Sequence, residues 1–161
     1  HIWLSPPRLL IQLDHIEKAL KESFPSSSSL IGKRTSELKA AIEALHKELL
    51  TSLAPYKGTT LVVAHHAYAY FCDEYHLKEL PIEHEGKEMN IHELVELLDL
   101  AKKAHVHTVF TQVQYPQKAA EQIAKELQAS LKELNPYSSE YLSMMYELQD
   151  AFKREGALQK E

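Results

Sequence analysis

Residues 59–71 read "TTLVVAHHAYAYF". The run from Thr59 to Ala64 is short, almost wholly apolar and rich in β-branched side chains, the composition of a parallel strand covered on both faces. It stops at two adjacent histidines, His65 and His66, and the small and aromatic residues from Ala67 to Tyr75 suit a helix. A further strand candidate, "VHTVFT", lies at 106–111. Between them "LKELPIE" at 77–83 offers a weaker strand, and Asn90 with Glu93 forms a capped start for a helix carrying Ile91, Leu94, Leu98 and Ala101. Pro116 opens a further helix through Ala119, Ala120, Ile123, Ala124 and Leu127. A weak strand ends near Leu134, and Ser138 or Ser139 caps a last helix through Tyr141, Leu142, Met145, Leu148 and Phe152. Alternating strand and helix signals imply right-handed βαβ units and a mostly parallel sheet of about four strands, flanked by helices in a three-layer α/β arrangement.

Upstream of this pattern the chain is helical. Ser5, Pro6 and Pro7 supply a cap and first-turn prolines, and Leu9, Leu10, Leu13, Ile16, Leu20 and Phe24 recur at helical spacing until Pro25. After the serine run at 26–29, Leu38, Ala41, Ile42, Leu45, Leu49 and Leu53 mark a longer helix that Pro55 and Gly58 end.

Composition excludes several classes of function. The chain has 161 residues, a net charge of −5 and 44% hydrophobic residues, enough for one domain with a real core. The charges are mixed, and no basic stripe interleaved with aromatics is present, so nucleic acid is not an expected partner. Cys72 is the single cysteine, which rules out an internal disulfide or a paired-cysteine metal site and leaves nitrogen and oxygen as the donors for any metal. No apolar run reaches the length of a membrane span. The abrupt hydrophobic opening "HIWLSPP" at 1–7 suggests a fragment whose upstream part holds any targeting signal.

In open α/β sheets ligands bind beyond the carboxyl ends of the strands. The polar residues found there are His65, Gln112 and Asn135. A neutral imidazole is a good donor to zinc or manganese, and amide oxygens are weaker donors to harder cations. Spacing alone leaves open both a cation site and a histidine that simply hydrogen-bonds a loop. Two consecutive side chains at a turn point in different directions, which makes His65 the ligand candidate and His66 its neighbour. Tyr68, Tyr70, Phe71 and Tyr75 fit helix packing better than an aromatic box. His84, His92, His105 and His107 fall at loops and helix ends and are assigned no role. A G-x-S-x-G elbow, an H-E-x-x-H helix and a glycine-rich phosphate loop are all missing from the sequence, and Cys72 suits apolar packing better than nucleophilic chemistry.

The segments "HIWLSP" at 1–6, "HHAYAYFCDEYHLK" at 65–78, "VFTQVQYPQKAAEQIAKEL" at 109–127 and "LNPYSSEYLSMM" at 134–145, in that order, resemble the zinc and manganese substrate-binding proteins of ABC transporters. The resemblance implies two α/β lobes joined by a long helix, with a metal held between them. On that basis residues 1–25 are the end of the N-terminal lobe or an inter-lobe helix, 26–56 the linking helix, and 57–161 a C-terminal metal-binding lobe. His1 matches the histidine of the family's Asp-Pro-His-x-Trp-Leu motif. His65 matches that of His-x-Ala-Phe/Tyr-x-Tyr-Phe, with Ala67, Tyr68, Tyr70 and Phe71 in register. Gln112 stands where the family commonly has Glu in Phe-x-Glu-Pro-x-Phe, and Asn135 where many members are acidic.

The implied metal set is therefore His65, His1, Gln112 and Asn135, with His66 and Tyr68 behind it. Fewer carboxylates favour Zn²⁺ over Mn²⁺, which prefers oxygen donors. The resemblance further implies a monomer that performs no covalent chemistry and hands its ion to a membrane permease, in a periplasmic or membrane-anchored extracytoplasmic location in a bacterium. A metal-assisted hydrolase, or an adhesin or interaction module with a degenerate metal site, are the alternative functions.

Overall fold

The structure is a computed structural model that describes residues 1–84, 87–115 and 117–160. A first helix, α1 (Pro6–Ser23), ends at Phe24, and a single 3-10 turn over Pro25–Ser27 leads into α2 (Ser28–Leu53). The two serines at 28 and 29 thus belong to the first turn of α2, and the expected break is confined to Pro25–Ser27. With 26 residues, α2 is about 39 Å long at 1.5 Å per residue. Ion pairs from Lys39 to Asp14 at 2.6 Å and Glu17 at 3.2 Å tie α1 back against it.

The remainder runs β1 (Thr60–Val63), α3 (Ala69–Tyr75), β2 (Lys78–Pro81), the short antiparallel pair β3 (Glu83–His84) and β4 (Lys87–Glu88), α4 (Ile91–Lys103), β5 (Thr108–Gln112), α5 (Lys118–Leu127), β6 (Ser130–Leu134) and α6 (Tyr141–Leu158). The main sheet has four strands in the order β2-β1-β5-β6, and every pairing is parallel. Since β1 lies between β2 and β5, the chain crosses over β1 on its way from β2 to β5. The carboxyl end of β1 is therefore the switch point of the sheet, where such folds place their ligands.

The period of two in β1 explains the layers. Leu61 and Val63 face a core built with Leu45, Leu49 and Leu53 of α2, Phe71 of α3, and Met145, Leu148 and Phe152 of α6. Val62 faces the opposite core, with Leu97 and Ala101 of α4, Val109 of β5, and Ala120, Ile123 and Ala124 of α5. Phe71 and Phe110 each meet the Phe152 ring edge-on, at 5.3 and 5.2 Å between centroids.

Helix ends agree with the sequence in part. Asn90 and Glu93 form a complete capping box on α4. The last helix differs: its cap position is Glu140, and Ser138 Oγ accepts the Glu140 N–H at 3.2 Å from within the preceding turn. Ser5 occupies the cap position of α1, but its hydroxyl donates to Glu74 at 3.0 Å rather than serving the helix. The expected helix start at Pro116 lies outside the described residues. Among the described residues no helix is long and apolar enough to cross a membrane.

Candidate metal centre

His65 follows the last buried residues of β1. The Ala64 N–H bonds to Phe110 O at 2.8 Å and the Ala67 N–H to His65 O at 2.8 Å, so the turn that carries the imidazole is held on both sides. After β2 the chain crosses in front of this turn, with the Ile82 N–H on Val63 O at 2.8 Å, and delivers Glu83 onto His65 Nδ1. A carboxylate on Nδ1 selects the tautomer that carries its proton there and leaves the Nε2 lone pair for a cation, the arrangement found around metal-ligating histidines. The His65 side chain is 19% exposed.

His1 reaches the same place from the other end of the chain. Trp3 Nε1 donates to Pro136 O at 2.9 Å, and Tyr141 donates its hydroxyl proton to Trp3 O at 3.0 Å. Leu4 behind them is fully buried. Clamped in this way, the His1 ring sits edge-on to His65 with centroids 5.3 Å apart. Two tyrosines complete the cluster: the Tyr137 hydroxyl is 2.7 Å from His1 Nε2, and Tyr115 stacks on His65 at 4.1 Å with its hydroxyl 3.0 Å from Nε2. Partial desolvation, the Tyr137 hydroxyl beside it and the Glu83 carboxylate all raise the pKa of the Tyr115 phenol.

The other expected site residues lie around this pair. Gln112 ends β5, and because Val63 pairs with Phe110, it stands as far beyond that rung as His65 does on β1. Its side chain is buried beside Tyr68, and among the described residues no partner meets hydrogen-bond geometry at either of its amide atoms. Asn135 turns its Oδ1 to Gln114 Nε2 at 2.8 Å and to the Tyr137 N–H at 3.2 Å, which fixes the loop that presents Tyr137. His66 points away from His65, its Nδ1 3.1 Å from the buried Glu79. Glu79 also accepts the Tyr68 N–H at 2.7 Å, yet burial dominates and raises its pKa. Tyr68 is fully buried with its ring edge-on to Phe152 at 5.5 Å, and burial pushes its phenol up while the Gln112 amide opposes the shift. Burial likewise raises the Cys72 thiol well above its ordinary value, consistent with packing rather than nucleophilic chemistry.

Among the described residues no three His, Cys, Asp or Glu side chains converge as a metal-binding group. The chain brings together two imidazoles, a carboxylate behind one of them, and two phenols. Glu83, Tyr115 and Tyr137 are absent from the set read off the sequence. Glu83 closes the segment read as the second strand, and Tyr115 and Tyr137 lie three residues beyond the ends of β5 and β6.

A family model described as "ZnuA: Zinc-uptake complex component A periplasmic" matches residues 1–155. This chain belongs to the ZnuA family. A crystal structure of a ZnuA protein superposes on it with a TM-score of 0.91 at 32% identity, covering 97% of this chain and 59% of that one. The high-affinity zinc uptake system protein ZnuA of Haemophilus influenzae is 28% identical over 142 residues, which are 84% of this chain and 41% of that protein. The manganese-binding lipoprotein MntA of Bacillus subtilis is 28% identical over 123 residues, 74% of this chain and 40% of its own length. The chain thus spans well under two thirds of each of these ZnuA-family relatives.

Proposed function

We propose that this chain is the part of a metal-receptor protein that captures a divalent cation, most readily Zn²⁺, and that the whole protein delivers the ion to the membrane permease of an ABC transporter. The observation that carries this is the pairing of His1 and His65 at the switch point of the sheet, with Glu83 on Nδ1 orienting the His65 ring. Imidazole nitrogen suits zinc, whereas manganese favours oxygen. Membership of a zinc-uptake family supports the same assignment, and the named zinc and manganese relatives make Mn²⁺ the second candidate.

In this proposal His1 and His65 are ligands, Gln112 offers a buried amide oxygen without a hydrogen-bond partner among the described residues, and Asn135 acts through the loop it shapes. His66 and Tyr68 support the turn through Glu79. Residues 26–56 serve as the linking helix, 57–161 as the metal-holding lobe and 1–25 as the segment that returns His1 to it. Capture needs only coordination and later release, so no covalent step is invoked, and the protein works outside the cytoplasmic membrane as a monomer. Family membership favours capture over metal-assisted hydrolysis. Chelator-competition titration of Zn²⁺ and Mn²⁺ into the protein extended upstream should show saturable binding of one ion per chain, tighter for Zn²⁺. Failure to bind either ion would contradict the proposal.

A further inference from the structure

We infer that Glu74 of α3 is a positioning residue for cation capture, acting on His1 through Ser5, a role that rests on the assignment of His1 as a ligand. The path between them is short and stiff. The Leu4 N–H bonds to His1 O at 3.1 Å and the Ser5 N–H to Ile2 O at 3.2 Å, so the 3-10 turn over Ile2–Leu4 and its two flanking residues move as one piece. Ser5, at the far end from His1, is fully buried. Its hydroxyl donates to Glu74 Oε2 at 3.0 Å and accepts from Arg8 Nη1 at 3.2 Å. Arg8 Nη1 also lies 3.4 Å from Glu74 Oε2, which closes a ring of three side chains.

A serine at a helix cap ordinarily turns its oxygen to an N–H of the first turn. Pro6 and Pro7 carry no N–H, so the first turn of α1 offers little to cap, and the Ser5 hydroxyl reaches α3 instead. Trp3 is held on another side of the same turn, by Pro136 O and the Tyr141 hydroxyl. Either anchor alone would let the turn pivot. Held both on α3 and beyond β6, it presents His1 in one direction. On α3, Glu74 carries this role and Asp73 does not. The Glu74 side chain is 22% exposed and that of Asp73 is 70% exposed. The pair of Asp73 with Arg8 at 2.7 Å is therefore a solvated ion pair of small worth, whereas the part-buried bond from Ser5 to a carboxylate belongs to the stronger class of hydrogen bonds.

The test uses the upstream-extended protein and its Glu74→Ala, Glu74→Gln and Ser5→Ala variants. Zinc affinity is read by chelator competition, and the place of His1 by nuclear Overhauser contacts between its ring and that of Tyr137 in the metal-free protein, where the centroids are 5.4 Å apart. Glu74→Ala and Ser5→Ala should bind Zn²⁺ about tenfold more weakly, the lower end of the range for residues that orient ligands, and should lose the contact between His1 and Tyr137. Glu74→Gln keeps an oxygen for the Ser5 hydroxyl and should recover most of the affinity and the contact. Weaker binding with that contact intact would overturn the inference, because Glu74 would then act by a route other than His1. So would parental affinity in Ser5→Ala, the variant that decides should Glu74→Ala fail to fold. Both results leave the zinc assignment standing, whereas failure of the parent to bind zinc would overturn the assignment and the inference together.

Discussion

The Glu83 carboxylate sits on Nδ1 of His65, and that contact fixes which ring nitrogen is left for a cation. The two residues are 18 positions apart in the chain and meet because β2 runs parallel to β1 and ends beside it. Replacing Glu83 by Gln keeps the shape but weakens the hold on the tautomer. Zinc affinity should fall about 10- to 100-fold in Glu83→Gln, the range for outer partners of ligating histidines. Chelator competition measures it, and an unchanged affinity would show that the contact does not orient the ring.

A stability prediction concerns the face of α6 that crosses the start of β1. A Cβ built at Gly156 would lie 2.7 Å from Thr59 Oγ1 and 2.8 Å from Tyr56 Cδ1. Gly156→Ala must therefore move side chains or the helix, and overpacking of this kind costs ~1–3 kcal/mol. Urea unfolding should show that loss. A stabilised variant, as expected from helix propensity alone, would mean that the contact relaxes freely.

Glu79 carries a pH signature. Burial raises its folded pKa above the ordinary 4.5, opposed by the Tyr68 N–H and by His66 and His65. Below pH 4.5 the folded and unfolded chains both hold this proton. As pH rises, the unfolded chain releases it first, so stability is lost until the folded pKa is passed. Glu79→Gln abolishes that loss, and its oxygen can still accept the Tyr68 N–H. Relative to the parent, the variant should gain stability between about pH 4.5 and neutrality. A difference that does not change with pH, measured by denaturant unfolding at several pH values, would contradict the assignment.

Gln112 separates two effects that one substitution would otherwise mix. Gln112→Glu places a carboxylate where the amide has no hydrogen-bond partner among the described residues, so without metal the variant should unfold more easily as pH rises and the buried acid ionises. If the side chain faces the ion, added metal should restore stability, and affinity should rise more for Mn²⁺ than for Zn²⁺. Thermal unfolding with and without each metal reads both effects. Destabilisation with no change in either affinity would remove Gln112 from the ligand set.

How much of this was legible follows from burial. β1 and β5 could be read from sequence because both of their faces are covered, so every residue after the first of each is buried and the runs are rich in apolar or β-branched side chains. The strands at the sheet edges gave faint signals: β2 as "KELP" and β6 as "SLKEL" are mostly exposed or half-buried, and only Leu134 of the two strands is fully buried. His65 stood out because it interrupts an apolar run, and His1 because it precedes a matching motif. Tyr115 and Tyr137 did not, because loop residues obey no period, and Glu83 did not, because it opens a two-residue strand; the approach of all three to the histidines depends on strand order. The shift of the last cap from Ser138 or Ser139 to Glu140 has a similar cause, since the Ser138 hydroxyl is taken by the tight turn before the helix.

The most direct measurement compares His65→Ala with His66→Ala by Zn²⁺ titration of the upstream-extended protein. The two histidines are adjacent, but His65 faces His1 and Tyr115 while His66 faces Glu79. His65→Ala removes a ligand and should abolish most zinc binding with little change in folding. His66→Ala should bind zinc within a few-fold of the parent. Loss of binding in His66→Ala with parental binding in His65→Ala would contradict the site.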